Sequence, residues 1–161
     1  MTSSELSVAD LCDAHEDLVE VCPLQFRDLG GVRAFQGRIR TVRCYEDNSV
    51  VKTTLAEPGE GCVLVVDGGG SLNRALVGDM IGADAVRNGW AGVIINGAVR
   101  DSAVLVTLRL GVKALGTNPR RCFRRGQGEA DVPVAIGGVI FKPGDMVYAD
   151  TDGVAVLPAG S

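Results

Sequence analysis

Two stretches of this sequence, Cys62-Val63-Leu64-Val65-Val66-Asp67 and Ala91-Gly92-Val93-Ile94-Ile95, are apolar at consecutive positions instead of at every second one. A strand with one wet face alternates apolar and polar residues; a strand that does not alternate is buried on both faces, the condition of a central strand in a parallel sheet. Parallel neighbours need a crossover, and the segment between these two runs supplies one. "GDMIGADAVRNG" carries helical spacing and stops at Gly89. The chain is therefore expected to have a layered α/β core.

The flanking segments extend this grammar. Ser7 caps a short helix to His15, with Val8, Leu11 and Cys12 on one face. "GRIRTVRCY" reads as a strand, and Asn48 as the cap of a helix through "SVVKTTLAE" that the turn Pro58-Gly59-Glu60-Gly61 ends. "DSAVLVTLRLG" is expected to be a second crossover helix and "VKALG" a third strand. In the last third, short apolar runs are broken at Gly137-Gly138, Pro143-Gly144-Asp145 and Asp152-Gly153, which predicts antiparallel hairpins. The expected fold class is α/β with a mixed sheet and a β-rich C-terminal part, in one domain over residues 1–161.

Composition excludes several classes. No apolar run approaches the roughly 18 residues of a membrane span, and the acidic start "MTSSELSVADLCDAHEDLVE" does not resemble a secretory signal, so a cytoplasmic protein is expected. The five cysteines (Cys12, Cys22, Cys44, Cys62 and Cys122) are scattered without a C-x-x-C pair, which indicates reduced thiols and neither a disulfide framework nor a zinc cage. The lone histidine, His15, leaves no material for a histidine triad. Net charge is −4, yet the segment from Ser102 to Gly128 has no acid and six cations, among them Arg120, Arg121, Arg124 and Arg125. With Phe123 as its one stacking group, this reads better as a solvated loop than as a basic loop for an anionic ligand or for RNA, and direct nucleic-acid binding is not expected.

Ligands of parallel α/β sheets gather beyond the carboxyl ends of the strands. Two loops are expected there, Asp67 to Ser71 and Asn96 to Asp101, with Gly97 allowing a sharp exit that brings Arg100 and Asp101 to the rim. The glycines do not form a dinucleotide fingerprint, because the last position of G-x-G-x-x-G is Asn73, and no Walker A motif is present. Gly68 to Gly70 read first as a tight turn alone and otherwise as a site of close backbone approach, and the helix start at Gly78, Asp79, Met80 and Ile81 offers N–H groups to a carboxylate. Arg100 and Asp101 alone are equally readable as a surface ion pair or a helix cap.

The blocks "CYEDNSVVK", "VLVVDGGGS", "ALVGDMIG", "INGAVRD", "GVKALGTNPR" and "GGVIFKPGDMVYADTDGV" resemble, in order and over nearly the whole chain, one family. It contains the regulator of ribonuclease activity A and the class II, metal-dependent 4-hydroxy-4-methyl-2-oxoglutarate aldolases. The resemblance implies a three-layer swivelling-domain fold assembled as a homotrimer. At the position that separates the family's branches, Asp79 is followed by twenty residues and then by Arg100-Asp101, the pattern of the aldolases. A further acid that aldolases often carry three residues on is Val104 here.

What the resemblance implies is divalent-metal-dependent cleavage of 4-hydroxy-4-methyl-2-oxoglutarate to pyruvate, and decarboxylation of oxaloacetate through the same enolate. Asp101 would hold Mg²⁺ or Mn²⁺, Arg100 would bind the ketone oxygen or carboxylate, and the N–H groups of Gly78, Asp79, Met80 and Ile81 a carboxylate of the small 2-oxo acid. The family's other role implies a partner, a ribonuclease E-like endoribonuclease that the protein would inhibit without chemistry of its own.

Overall fold

The structure is a computed structural model that describes residues 6–161; the first five residues of the acidic N-terminal stretch lie outside the described residues. In chain order, α1 (Val8–Ala14), β1 (Glu20–Cys22), β2 (Arg27–Asp28), β3 (Phe35–Arg43) and α2 (Ser49–Leu55) come first. The middle holds β4 (Val63–Asp67), β5 (Ala75–Val77), α3 (Asp79–Arg87), β6 (Gly92–Val99), α4 (Ser102–Leu105) and β7 (Gly111–Thr117). The end is all strand: β8 (Glu129–Ala130), β9 (Val134–Ile136), β10 (Val139–Phe141), β11 (Met146–Asp150) and β12 (Gly153–Leu157).

The two apolar runs are neighbours: β4 lies between β3 and β6, parallel to both, and β7 follows parallel to β6. Their side chains divide by parity. Leu64, Val66, Val93 and Ile95 join one apolar cluster with residues of α2, α3 and α4, while Val63, Val65 and Ile94 join a second with the β-rich end. β3 serves both parts of the sheet, pairing through residues 35–38 with β11 and through residues 39–43 with β4. Helices α2, α3 and α4 therefore cover one face. The hairpins β9–β10 and β11–β12 close over the other, which gives the mixed, layered fold and the β-rich end read from the sequence.

Several local expectations are corrected. Asn96 to Val99 is not a loop: β6 runs on to Val99, and its register against β7 shifts between Ile95 and Ala98. Gly97 sits inside that irregularity, where an added Cβ would lie 3.1 Å from the Leu76 side chain, so its role is to admit β5. The sharp exit is made by Asp101, whose backbone is left-handed at φ 56° and ψ 40°, a conformation that Asp tolerates better than most residues. β5 was not foreseen between the glycine loop and α3.

The helix expected from "DSAVLVTLRLG" is a single turn, α4, in keeping with its β-branched residues. Asn48 precedes α2, but its side chain caps nothing; the Asp47 carboxylate accepts from the Ser49 N–H at 2.9 Å. Among the described residues no helix is long and apolar enough to cross a membrane. The five cysteines are free thiols, with Cys22, Cys44 and Cys122 buried.

Candidate functional site

The carboxyl ends of β5 and β6 meet the start of α3. Val77 and Val99 are paired in register, and the Arg100 N–H donates to the Val77 carbonyl at 2.9 Å, so the residues following each strand are held side by side. After Val77 comes Gly78, in extended backbone, and then α3; after Val99 come Arg100 and the left-handed turn at Asp101. That turn swings the Asp101 carboxylate back over α3. Its Oδ2 accepts the Asp79 N–H at 3.0 Å.

Gly78 makes this contact sterically possible. A Cβ on residue 78 would sit 2.7 Å from Asp101 Oδ2 and 3.2 Å from Arg100 Cγ. Its φ of −129° suits any residue, so the need for glycine here is one of space, not of backbone freedom.

A small open cavity lies at this junction, lined by Gly78, Asp79, Met80, Ile81 and Arg100, all five of them picked out from the sequence. Asp101 borders it through the Asp79 N–H. The helix start differs in one respect from the expectation. Two of its N–H groups already have partners within the chain, Asp79 on Asp101 and Met80 on the Asp79 Oδ1 at 2.8 Å. The glycine loop does not line the cavity. Gly68 and Gly70 donate instead to the Asn96 carbonyl, each at 3.1 Å, and Gly69 donates to Asp67, so this loop closes on its own strands.

Four further lining residues were missed: Asn48, Ala75, Arg121 and Arg124. The arginines belong to the acid-free segment, which folds back on the site. Arg120 gives its carbonyl to the Ala75 N–H at 2.7 Å, and Arg121 gives its carbonyl to Arg74 at 2.9 Å. Phe123 lies between the guanidinium groups of Arg74 and Arg125, 3.8 and 4.0 Å from its ring centre. Asp47 ties the same segment to α2 by accepting the Arg125 N–H at 2.7 Å. Burial pushes the Asp47 carboxyl up, and the hydrogen bonds from Ser49 and Arg125 outweigh it, holding the group below the usual carboxylate range. The basic segment thus contributes two cations to a cavity that already holds Arg100.

As for a metal, the donor set is carboxylate oxygen only: Asp101, with the exposed Asp79 beside it. Among the described residues no group of three or more His, Cys, Asp or Glu converges on one point. Such a set fits a hard ion that keeps most of its water, as Mg²⁺ does, and does not fit zinc.

A family model described as RraA-like, aldolase/RraA, matches residues 8–156. A protein of Aromatoleum aromaticum named "Putative 4-hydroxy-4-methyl-2-oxoglutarate aldolase" is 52% identical over 152 residues, 94% of this chain and 96% of that one. Among solved structures, the RNA-processing inhibitor RraA from Thermus thermophilus superposes with a TM-score of 0.94 at 43% identity, covering 98% of this chain and 95% of that one. A Geobacillus kaustophilus protein named S-adenosylmethionine:2-dimethylmenaquinone methyltransferase also superposes with a TM-score of 0.94, at 46% identity over 96% of each chain. The motif resemblance, the mixed sheet and these matches agree, and the chain belongs to the RraA-like aldolase/RraA family.

Proposed function

We propose that this protein is a divalent-metal-dependent lyase that cleaves 4-hydroxy-4-methyl-2-oxoglutarate into two molecules of pyruvate and decarboxylates oxaloacetate through the same pyruvate enolate. The observation that carries the reading is the contact between Asp101 and the Asp79 N–H, which sets the aspartate of the sequence pattern beside a cavity whose wall includes its acid, Asp79, and its arginine, Arg100. The relative named as an aldolase supports it.

In the cleavage, the C3–C4 bond breaks, the carbinol oxygen gives its proton to water in the open cavity and becomes a ketone, and the bond's electron pair passes to C3 and the adjoining carbonyl as an enolate. Protonation of C3 completes the second pyruvate. Arg100, half-buried at the cavity wall, is placed to bind the oxygens on which this charge develops. The start of α3 favours a carboxylate by its dipole, the N–H groups of Asp79 and Met80 being held within the chain. Mg²⁺ or Mn²⁺ held by Asp101 would supply Lewis-acid stabilisation of the enolate.

The test is release of pyruvate by the purified protein from each substrate with Mg²⁺ or Mn²⁺, read through lactate dehydrogenase. Absence of pyruvate from both substrates overturns the proposal. The methyltransferase name of the Geobacillus protein is not carried over, since the glycine loop departs from the dinucleotide fingerprint at Asn73 and lies off the cavity.

A second reading, a homotrimer that inhibits a ribonuclease E-like enzyme, is favoured by the likeness to the Thermus RNA-processing inhibitor. Co-purification with such an enzyme and slowed RNA cleavage would support it. Absence of binding at micromolar concentration would exclude it.

A further inference from the structure

Asn48 is 5% exposed, and its backbone is fully engaged: the N–H donates to the Phe123 carbonyl and the carbonyl accepts from Lys52. Its side-chain amide is oriented by a single bond, from Nδ2 to the Leu76 carbonyl at 3.1 Å. That bond requires the NH₂ end, so the carbonyl end is the free one. Oδ1 is, among the described residues, the one buried side-chain nitrogen or oxygen without a partner. Asn48 lines the cavity that also holds Arg100, Arg121 and Arg124. With the capping of α2 left to Asp47, the fold makes no use of this oxygen.

A buried acceptor calls for a donor. The two substrates of the proposed lyase differ in just this respect. At neutral pH both are dicarboxylates with a ketone; 4-hydroxy-4-methyl-2-oxoglutarate also has a carbinol O–H, whereas oxaloacetate in its keto form has acceptors alone. We propose that Asn48 determines specificity for 4-hydroxy-2-oxo dicarboxylates, its Oδ1 accepting the carbinol O–H while Arg121 and Arg124 take the carboxylate beyond the carbinol carbon. This inference rests on the lyase reading. A site built to bond a hydroxyl rejects an analogue lacking it, because the site's own buried group is then left without a partner.

The experiment measures kcat/KM for aldol cleavage and for oxaloacetate decarboxylation on the same preparation, for the wild-type protein and for Asn48→Ala. Misfolded protein lowers both activities alike and cancels in their ratio. The aldol-to-decarboxylase ratio is expected to fall at least about tenfold. A ratio within about twofold of wild type overturns the assignment. Asn48→Leu, of similar volume, serves the same test if the alanine variant does not fold. The wild-type protein gives a second readout without mutation: 4-methyl-2-oxoglutarate, which lacks the hydroxyl, should inhibit with a Ki at least about ten times the KM of the hydroxylated substrate. A Ki equal to that KM counts against the role of the hydroxyl. Wild-type protein that performs neither reaction overturns the lyase reading itself, and this assignment with it.

Discussion

Asp101, at the turn after β6, accepts the backbone N–H of Asp79, the first residue of α3, at 3.0 Å. Twenty-two positions apart in sequence, the two are brought together by the pairing of β5 with β6. The proposed lyase site depends on that contact and on the absence of a side chain at Gly78.

Replacing Gly78 by alanine puts a Cβ 2.7 Å from the Asp101 carboxylate, in a backbone conformation that alanine adopts freely. Gly78→Ala should therefore fold, with stability lowered by about 1–3 kcal/mol from overpacking, and lose at least about tenfold in pyruvate release as Asp101 and Arg100 are displaced. Thermal melting and the pyruvate assay read the two effects separately. Full activity in a folded Gly78→Ala protein would show that the close packing is not needed.

Two substitutions at Asp101 separate its roles. Asp101→Asn keeps an acceptor for the Asp79 N–H and a residue tolerant of the left-handed turn, so stability should stay within about 0.5 kcal/mol of wild type. Asp101→Ala loses both and should cost about 1–2 kcal/mol. Both lack the carboxylate and should lose lyase activity about a hundredfold or more. Urea denaturation and steady-state kinetics provide the check; equal stability of the two variants would contradict the structural half of the prediction.

The parts legible in the sequence were those whose signal is local. β4 as far as Val66 and the first half of β6, Gly92 to Ile95, announce themselves because burial on both faces leaves them without polar residues, and α3 because Gly89 stops it. The acid and the Arg-Asp pair were legible as a spaced pattern. β5 was missed because three apolar residues, Ala75–Val77, do not form a readable run. Gly97 was misread as a strand exit because a glycine that admits a neighbouring side chain looks, in sequence, like one that turns the chain. Asn48 and Arg124 reach the cavity through pairings across long stretches of chain, such as the bridge between Asp47 and Phe123, and no spacing rule encodes those.

Lys113 is a further case of a role set by distant residues. It is 2% exposed on β7, bonded to Asp28 at 2.9 Å and to the Asp150 carbonyl at 2.5 Å. Lys113→Met leaves Asp28 in a largely buried setting without its cation and should cost about 3–5 kcal/mol. Adding Asp28→Leu should recover most of that loss, as a double-mutant cycle in urea would show. A single-variant cost below about 1 kcal/mol would mean that the pair is solvated.

Burial pushes the thiol of Cys44 up to about 12 and that of Cys122 up to about 11, from an ordinary value of 9.0. Below pH 9.0 both thiols are protonated in the folded and unfolded chain alike, and the protein keeps its full stability. As pH rises from there toward the folded values, the unfolded chain loses protons that the folded one retains, so stability falls. Urea midpoints should decline between about pH 9 and pH 11, and decline less in a variant with alanine at both positions. Parallel declines in the two proteins would assign the effect to other groups.

In the proposed lyase, Asp101 and Arg100 operate with a divalent cation. The most direct measurement of this is pyruvate release from 4-hydroxy-4-methyl-2-oxoglutarate by one preparation of the protein, before EDTA, in its presence, and after excess Mg²⁺ is restored. Loss of turnover with the chelator and its return with the ion are expected. Turnover unchanged by EDTA would contradict the role of the cation.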